Sequence, residues 1–253
     1  MQTKERRRNV LQALERKKTI YLSELAEDLS VSTMTIRRDI RRLADQGIVT
    51  LIHGGAVLNE GAAFLPSVNV REQRMKQEKD HIAGYCASLI REGNCVYLDT
   101  GSTPQAIAGA IAERQNIVVL THSLSVVNIL VHAHHLQLIS MPGTYQEEAK
   151  GFFGEMTQRI VGEFQMDLAF FGACGVDTVH GMMAPTLYDK AMKQAVMAQS
   201  RKKVLAVDHT KIGIVAFAKV CALAEFDILV TDKRADKDFV DYARRHGVEV
   251  VQV

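Results

Sequence analysis

The run Leu98-Asp99-Thr100-Gly101-Ser102-Thr103-Pro104 closes an apolar, β-branched stretch and opens a helical one. Glycine lets the backbone approach a guest closely, the hydroxyls add donors, and the first amides of a helix point outward from the positive end of its dipole. These are the parts of a site for a dianionic phosphate. Thr103 is expected as the N-cap and Pro104 at the first helical position, although an ordinary strand-to-helix turn favours the same residue types. Three other loops follow apolar runs and are expected beside it: Thr121-His122-Ser123, Gly172-Ala173-Cys174-Gly175-Val176-Asp177 and Asp208-His209-Thr210-Lys211-Ile212-Gly213. They offer small residues for close approach and acceptors for hydroxyl groups. Lys211 adds a cation for a phosphate or carboxylate, and Pro142-Gly143 reads as a turn at the rim.

A second constellation lies near the N-terminus. Ser32 caps an expected helix over Thr33 to Asp45. At ~100° per residue, Ile36, Ile40 and Leu43 share one face and the arginines turn outward. Ser32, Thr33, Met34 and Thr35 then stand at the helix start, with Arg37, Arg38, Arg41 and Arg42 along it. Short hydroxyl side chains in the first turn and arginines behind them suit entry into a DNA major groove, where base edges and phosphates are both in reach. A charged run alone is often only a solvated face; here it follows a shorter helix and a tight turn, which raises its meaning.

The elements that would hold these residues can be read from periodicity. Lys4 to Arg16 is the first helix, with Val10, Leu11 and Leu14 on one face. The second starts near Leu22 with Ser23 as cap, and Leu22, Leu25, Ala26 and Leu29 form its apolar stripe. Gly47 suits the position after the third helix. Ile48 to Ile52 and the segment after His53-Gly54-Gly55 predict two short strands, a wing. His53 either touches a nucleic-acid backbone from there or is a surface histidine without a role. Residues 57–75 show no clear periodicity and read as a linker, followed by a charged helix from about Arg71 to Arg91. Beyond it, apolar runs at Cys95–Asp99, Ile117–Thr121, Leu136–Met141, Asp167–Ala173, Val204–Asp208, Asp227–Thr231 and Val248–Val253 alternate with helical patterns at Pro104–Glu113, Leu124–His132, Leu187–Ser200 and Ala235–Arg245. Continuous apolar strands separated by helices predict a mostly parallel sheet covered on both faces, with ligands at the carboxyl ends of its strands. The fold class is therefore α/β behind a winged helix-turn-helix: residues 1–57 a head, 58–75 a linker, and 76–253 a body whose strand-end loops are placed to take a ligand.

Several strings in the head resemble the DeoR-type family of bacterial transcriptional regulators: Glu5-Arg6-Arg7, Glu24-Leu25-Ala26-Glu27, Val31-Ser32-Thr33-Met34-Thr35-Ile36-Arg37-Arg38-Asp39 and His53-Gly54-Gly55-Ala56. Asp99-Thr100-Gly101-Ser102-Thr103, Phe171-Gly172-Ala173-Cys174-Gly175-Val176-Asp177 and Asp208-His209-Thr210-Lys211-Ile212-Gly213 extend the resemblance through the body. Ser30 stands where such sequences commonly carry a turn glycine, and Thr144 where a second glycine commonly follows Gly143. The resemblance implies an effector domain like the sugar-isomerase and CoA-transferase fold. It implies that Thr100, Gly101, Ser102 and Thr103 hold a sugar phosphate, with Asp99, His122, Gly172, Cys174, Asp208 and Lys211 around it. The expected partners are a double-stranded DNA operator, a phosphorylated sugar, and further copies of the chain as a dimer or tetramer. The expected function is a repressor of a carbohydrate-utilisation operon. The rival reading is a sugar-phosphate isomerase-like enzyme with a DNA-binding head, drawing its base from Asp99, Asp177 or Asp208.

The bulk numbers fit this reading. The 253 residues carry a net charge of +2, but eleven Lys/Arg face seven Asp/Glu in residues 1–56, against twenty and twenty-two in the remainder. A basic head on a slightly acidic body suits a polyanion at the head. No apolar run reaches the ~18 residues needed to span a bilayer, and the charged start lacks the apolar stretch of a signal peptide. The four cysteines (Cys86, Cys95, Cys174, Cys221) form no Cys-x-x-Cys pair. Reduced thiols and a cytoplasmic location are therefore expected, with no cofactor and no metal. His132, His134 and His135 crowd together, but histidines one position apart, as His134 and His135 are, rarely share a helical face. Met182, Met183, Met192 and Met197 read as gap fillers in a core or interface.

Overall fold

The structure, a computed structural model, describes residues 3–45, 49–58 and 68–253, which divide into two compact units, Met1–Ser67 and Val68–Val253. The Gly47 cap and most of the expected linker lie outside the described residues. The boundary after Ser67 falls within the span read as linker, so Val68 onward belongs to the body.

The first unit comprises α1 (Thr3–Lys17), β1 (Thr19–Tyr21), α2 (Leu22–Asp28), α3 (Thr33–Asp45), β2 (Val49–Ile52) and β3 (Gly55–Leu58). Val10 and Leu14 of α1, Leu22, Leu25 and Ala26 of α2, and Ile36, Ile40 and Leu43 of α3 are buried together with Ile20 and Val49. This is the apolar stripe of each helix turned inward. The α2–α3 turn is made by Ser30, at φ +52°. The Ser30 amide donates to Glu27 O (3.0 Å) and the Val31 amide to Ala26 O (2.9 Å), the paired bonds of a Schellman stop. A serine thus occupies the left-handed position that a glycine would take at lower cost.

Two details differ from the expectation. Ser23 does not cap α2; Tyr21 is the flanking residue, and the first helical amide, Leu22, donates 2.9 Å to Gly54 O in the wing turn. β1 was not expected, because three residues are too short for a period. It pairs antiparallel with β3, giving the order β1-β3-β2. Gly54 turns the β2–β3 hairpin at φ +72°, and a Cβ on Gly55 would collide with Ile20 O. The glycine pair therefore serves a turn and a close strand approach.

The second unit begins with α4 (Val68–Gln73) and α5 (Lys76–Ser88). The single charged helix expected from Arg71 to Arg91 is broken at Met75, which sits at φ +50°. Then follow β4 (Cys95–Leu98), α6 (Ser102–Ile111), β5 (Val118–Thr121), α7 (Leu124–Leu130), β6 (Gln137–Ser140), β7 (Thr144–Gln146), β8 (Gly151–Phe153), α8 (Glu155–Val161) and β9 (Met166–Phe171). The chain ends with β10 (Gly175–Asp177), β11 (Gly181–Ala184), α9 (Leu187–Ala198), β12 (Ser200–Ala206), β13 (Ala218–Cys221), β14 (Ile228–Thr231), α10 (Lys237–Arg245) and β15 (Glu249–Gln252). All seven expected strands join one parallel sheet of order β15-β14-β12-β9-β4-β5-β6.

Successive strand residues serve opposite faces. Val96, Leu98, Val119, Phe170 and Val204 pack under α5, α6 and α7 through Ile82, Ile107 and Val126. Tyr97, Leu120, Ala169, Phe171 and Leu205 pack under α8, α9 and α10 through Val161, Val196 and Phe239. The methionines Met182, Met183 and Met192 are buried among them. Two small antiparallel sheets, β7-β8 and β10-β11-β13, were not foreseen, since three- and four-residue strands rich in glycine or methionine carry no clear alternation. The chain runs outward from β4 through β5 to β6, then returns to β9 on the other side of β4 and continues to β15. The strand order therefore reverses between β4 and β9, where a doubly wound sheet opens a crevice at its carboxyl edge.

Candidate functional site

The crevice between β4 and β9 is organised by Asp99, which is wholly buried. Its Oδ1 accepts from the Thr100 amide (2.8 Å) and its Oδ2 from the Gly172 amide (3.3 Å), so one carboxylate ties the loop after β4 to the loop after β9. Gly101 at φ +124° then turns the chain into α6. The helix starts at Ser102 with Gly101 flanking it, so Thr103 is inside the first turn and not the cap, and Pro104 follows it. Thr100, Ser102 and Thr103 are all buried. A Cβ on Gly172 would stand 3.2 Å from Pro104 Cδ, so the β9 loop packs closely on the start of α6 there.

A buried charge network lies behind the loop. Lys193 Nζ donates to Asp99 Oδ2 and stands 3.4 Å from Asp189 Oδ1, one helical turn earlier on α9. Burial alone would lower the Lys193 ammonium, but Asp189 and Asp99 outweigh it and hold it above the usual amine range. Burial raises the Asp189 carboxyl, with Lys193 opposing and Asp99 adding. His122 is fully buried; its Nδ1 is 2.5 Å from the Tyr97 hydroxyl, and its Nε2 has no hydrogen-bond partner among the described residues. Burial and then Lys193 push the imidazole down to about 3, so it is neutral. Cys174 Sγ donates to Met183 O (3.0 Å), and burial pushes the thiol up to about 11, which keeps it protonated.

The outer side is basic. Asp208, buried at the end of β12, accepts from the Thr210 amide at 3.0 Å. Lys211 follows it in a short 3-10 turn. Burial lowers Lys211, Asp208 opposes, and Arg71 and Arg74 lower it further. Lys79 is buried, donates to Arg71 O and to Arg74 O (2.5 Å), and is lowered to about 8 by burial. Arg71 is pulled down to about 10 by burial, while the Asp189 and Asp99 carboxylates support its charge. Hence Asp99, Thr100, Gly101, Ser102, Thr103, Gly172, Cys174, Asp208 and Lys211 come together, and His122 lies behind them on Tyr97.

Arg71, Lys79, Asp189 and Lys193 were missed from the sequence. Two of them had left a signal. Lys193 shares the buried stripe of α9 with Met192, Val196 and Met197, and Lys79 that of α5 with Ile82, Ala83 and Cys86. A charge at an apolar-stripe position needs a partner, and is for that reason worth singling out. Arg71 sits in a short helix within an aperiodic stretch and gave none.

In the first unit, Ser32 Oγ accepts the Thr35 amide (3.2 Å) and lies 2.8 Å from the Thr35 hydroxyl, so the expected cap is present. Thr33, Arg37, Arg38, Arg41 and Arg42 are exposed, Met34 is 61% exposed, and Thr35 is partly buried. Asp39 is buried and takes an ion pair from Arg6 at 2.6 Å, which fastens α3 to α1. His53 is exposed in the wing turn.

Both parts of the chain match known families. A family described as the DeoR C terminal sensor domain matches residues 74–233, and the DeoR-like helix-turn-helix domain matches residues 6–62. The chain belongs to the DeoR family of DNA-binding transcriptional regulators. It is 29% identical over 250 residues to the glycerol-3-phosphate regulon repressor of Escherichia coli, covering 99% of both chains. It is 31% identical over 217 residues to the lactose phosphotransferase system repressor of Staphylococcus epidermidis, covering 85% of this chain and 86% of that one. Among solved structures, ribose 5-phosphate isomerase A of Methanocaldococcus jannaschii overlaps 54% of each chain at 17% identity and a TM-score of 0.41. In this chain the helix-turn-helix match precedes the sensor match. No helix among the described residues is long and apolar enough to cross a membrane.

Proposed function

We propose that this DeoR-family chain represses a carbohydrate-utilisation operon and that a phosphorylated sugar bound at the β4–β9 crevice changes its affinity for operator DNA. The observation that carries the effector half is the meeting of a buried hydroxyl-bearing helix start, Thr100 to Thr103, with Arg71 and Lys211 at one strand-end crevice. The repressor names of its relatives support the same direction. In the site, phosphate takes the helix-start amides and the flanking cations. The sugar hydroxyls face Asp208, Cys174 and the Nε2 of His122, a buried polar atom that a ligand hydroxyl would satisfy. Ser32, Thr33, Met34, Thr35, Arg37, Arg38, Arg41 and Arg42 form the DNA-contacting surface, and His53 reaches a flanking phosphate. The first unit holds the DNA-binding domain, and the second, from Val68 onward, holds the effector-binding and oligomerisation domain. A dimer or tetramer would present paired heads to a repeated half-site.

The isomerase reading requires a carboxylate free to take a proton from a sugar carbon. Asp99 is held by two amides and Lys193, Asp177 by the Val179 and His180 amides and the His180 ring, and Asp208 by its own 3-10 turn, so the geometry favours binding over turnover. Thermal stability against a panel of sugar phosphates and their unphosphorylated parents tests the proposal. A ligand at 100 times its dissociation constant adds about 2.7 kcal/mol, a shift of a few degrees. A shift with one phosphate and not its parent, accompanied by a change in operator affinity, is the expected result. Operator binding indifferent to every phosphate that shifts the melt would sink the sensing half, and turnover of any of them would establish the rival.

A further inference from the structure

We propose that Arg71 is a direct ligand of the effector's phosphate, and that α4, which carries it, is the element that reports occupancy of the site to the DNA-binding unit. The inference rests on the phosphate reading of the Thr100–Thr103 loop and goes beyond it, because it names how a ligand in the body acts on the chain outside the body.

The geometry starts at Gly101. A Cβ there would stand 3.7 Å from Nη1 of Arg71, so the guanidinium lies beside the loop at the helix start. Arg71 therefore adds to that loop a planar fork suited to two phosphate oxygens at once. Arg71, Arg74, Lys79 and Lys211 gather there, with Asp208 acting on the two lysines and Asp99 and Asp189 acting on Arg71. Burial pulls Arg71, Lys79 and Lys211 each toward neutrality, the direction that a bound dianion would reverse.

The mounting of Arg71 is equally informative. α4 has six residues, far fewer than a helix needs to be stable by itself. Among its described side chains only Val68 is buried. The carbonyls of Arg71 and Arg74, at and just past its C-terminal end, are collected by Lys79 Nζ, the buried lysine of α5. Its N-terminal end is the first residue after the boundary between the two units. A ligand that draws in Arg71 thus tightens a marginal helix at the point where the chain leaves for the head. Because effector and α4 would favour one arrangement together, the effector has the differential affinity that coupling requires.

The test uses the full chain and inorganic phosphate, the part of the ligand that the proposal concerns. Amide hydrogen exchange is followed with and without phosphate, and phosphate affinity is measured for wild type, Arg71→Gln and Arg71→Lys. Protection at residues 99–104 and 68–75 together is expected in wild type. Arg71→Gln should lose the protection at 68–75 and about tenfold or more in affinity, with Arg71→Lys between, since it keeps the charge and loses the fork. Arg71→Lys alone carries the comparison should the glutamine variant not fold. Protection at 99–104 without any at 68–75, or undiminished affinity in both variants, overturns this inference and leaves the phosphate site standing. Protection at neither segment overturns the phosphate site and this inference with it.

Discussion

The arginines of α3 and the charged groups of the β4–β9 crevice answer opposite physical demands. Arg37, Arg38, Arg41 and Arg42 stay in water, on a helix whose other face is buried, where a partner from outside can reach them. Asp99, Asp189 and Lys193 are buried and satisfy one another, so most of their charge is spent on holding the site's shape. Exposed charges attract and steer a polyanion cheaply, and salt screens them. Buried charges hold shape, and each is costly once its partner is removed. On the function proposed above, exposed charge would serve a large ligand in the head, and buried charge would hold the shape of the site for a small one in the body.

The largest expected effect breaks the buried side of this comparison. Lys193→Met leaves Asp99 and Asp189 buried without their cation and should cost the body about 3–5 kcal/mol in denaturant unfolding. A cost below about 1 kcal/mol would mean that the network behaves like a surface pair. Arg38→Ala probes the exposed side. It should leave stability nearly unchanged and weaken operator binding by about 1–3 kcal/mol if it reads guanine, or reduce the salt slope by about one if it contacts phosphate. Unaltered binding and slope would remove Arg38 from the DNA surface.

A smaller effect comes from pH. Lys79 is lowered to about 8 and Lys211 is lowered too, both by burial. An unfolded lysine keeps its proton to higher pH, so through the window above about 8 the unfolded chain binds more protons and the ligand-free body gains stability as pH rises. Phosphate-ester affinity should run the other way and fall about three- to tenfold over the same window, as the cations facing the anion are lost. A flat affinity profile above pH 8 would separate these lysines from the ligand. The smallest effect is expected at the wing: His53→Ala should change operator affinity by no more than about 0.5 kcal/mol, equally for all sequences. A sequence-dependent loss would move His53 from backbone contact to base reading.

The two regions also differed in how far they could be read in advance. The recognition face follows from a period of 3.6 and one cap, both local, and the exposure of Arg38 and Arg41 opposite Ile36 and Ile40 follows the wheel. The seven body strands were legible because a strand buried on both faces is an unbroken apolar run. The loops at their ends were legible from glycine, hydroxyl and carboxylate residues in sequence. The cap of α6 was misplaced by two residues, because Thr103 and Gly101 are both reasonable at a helix start and only the turn's backbone angles choose between them.

By itself, then, the sequence determined the capped basic helix, the alternation of strands and helices, and the loops that end at one edge. These rest on interactions within a few residues, whose spacing is written in the chain. Only the tertiary structure decided that Lys193 serves Asp99, ninety-four residues away, that the strand order reverses between β4 and β9, and that Arg71 on α4 faces Gly101. Those contacts depend on which strands lie side by side and which helix covers which face. That choice is made by the summed burial of a whole sheet, and no local spacing records it.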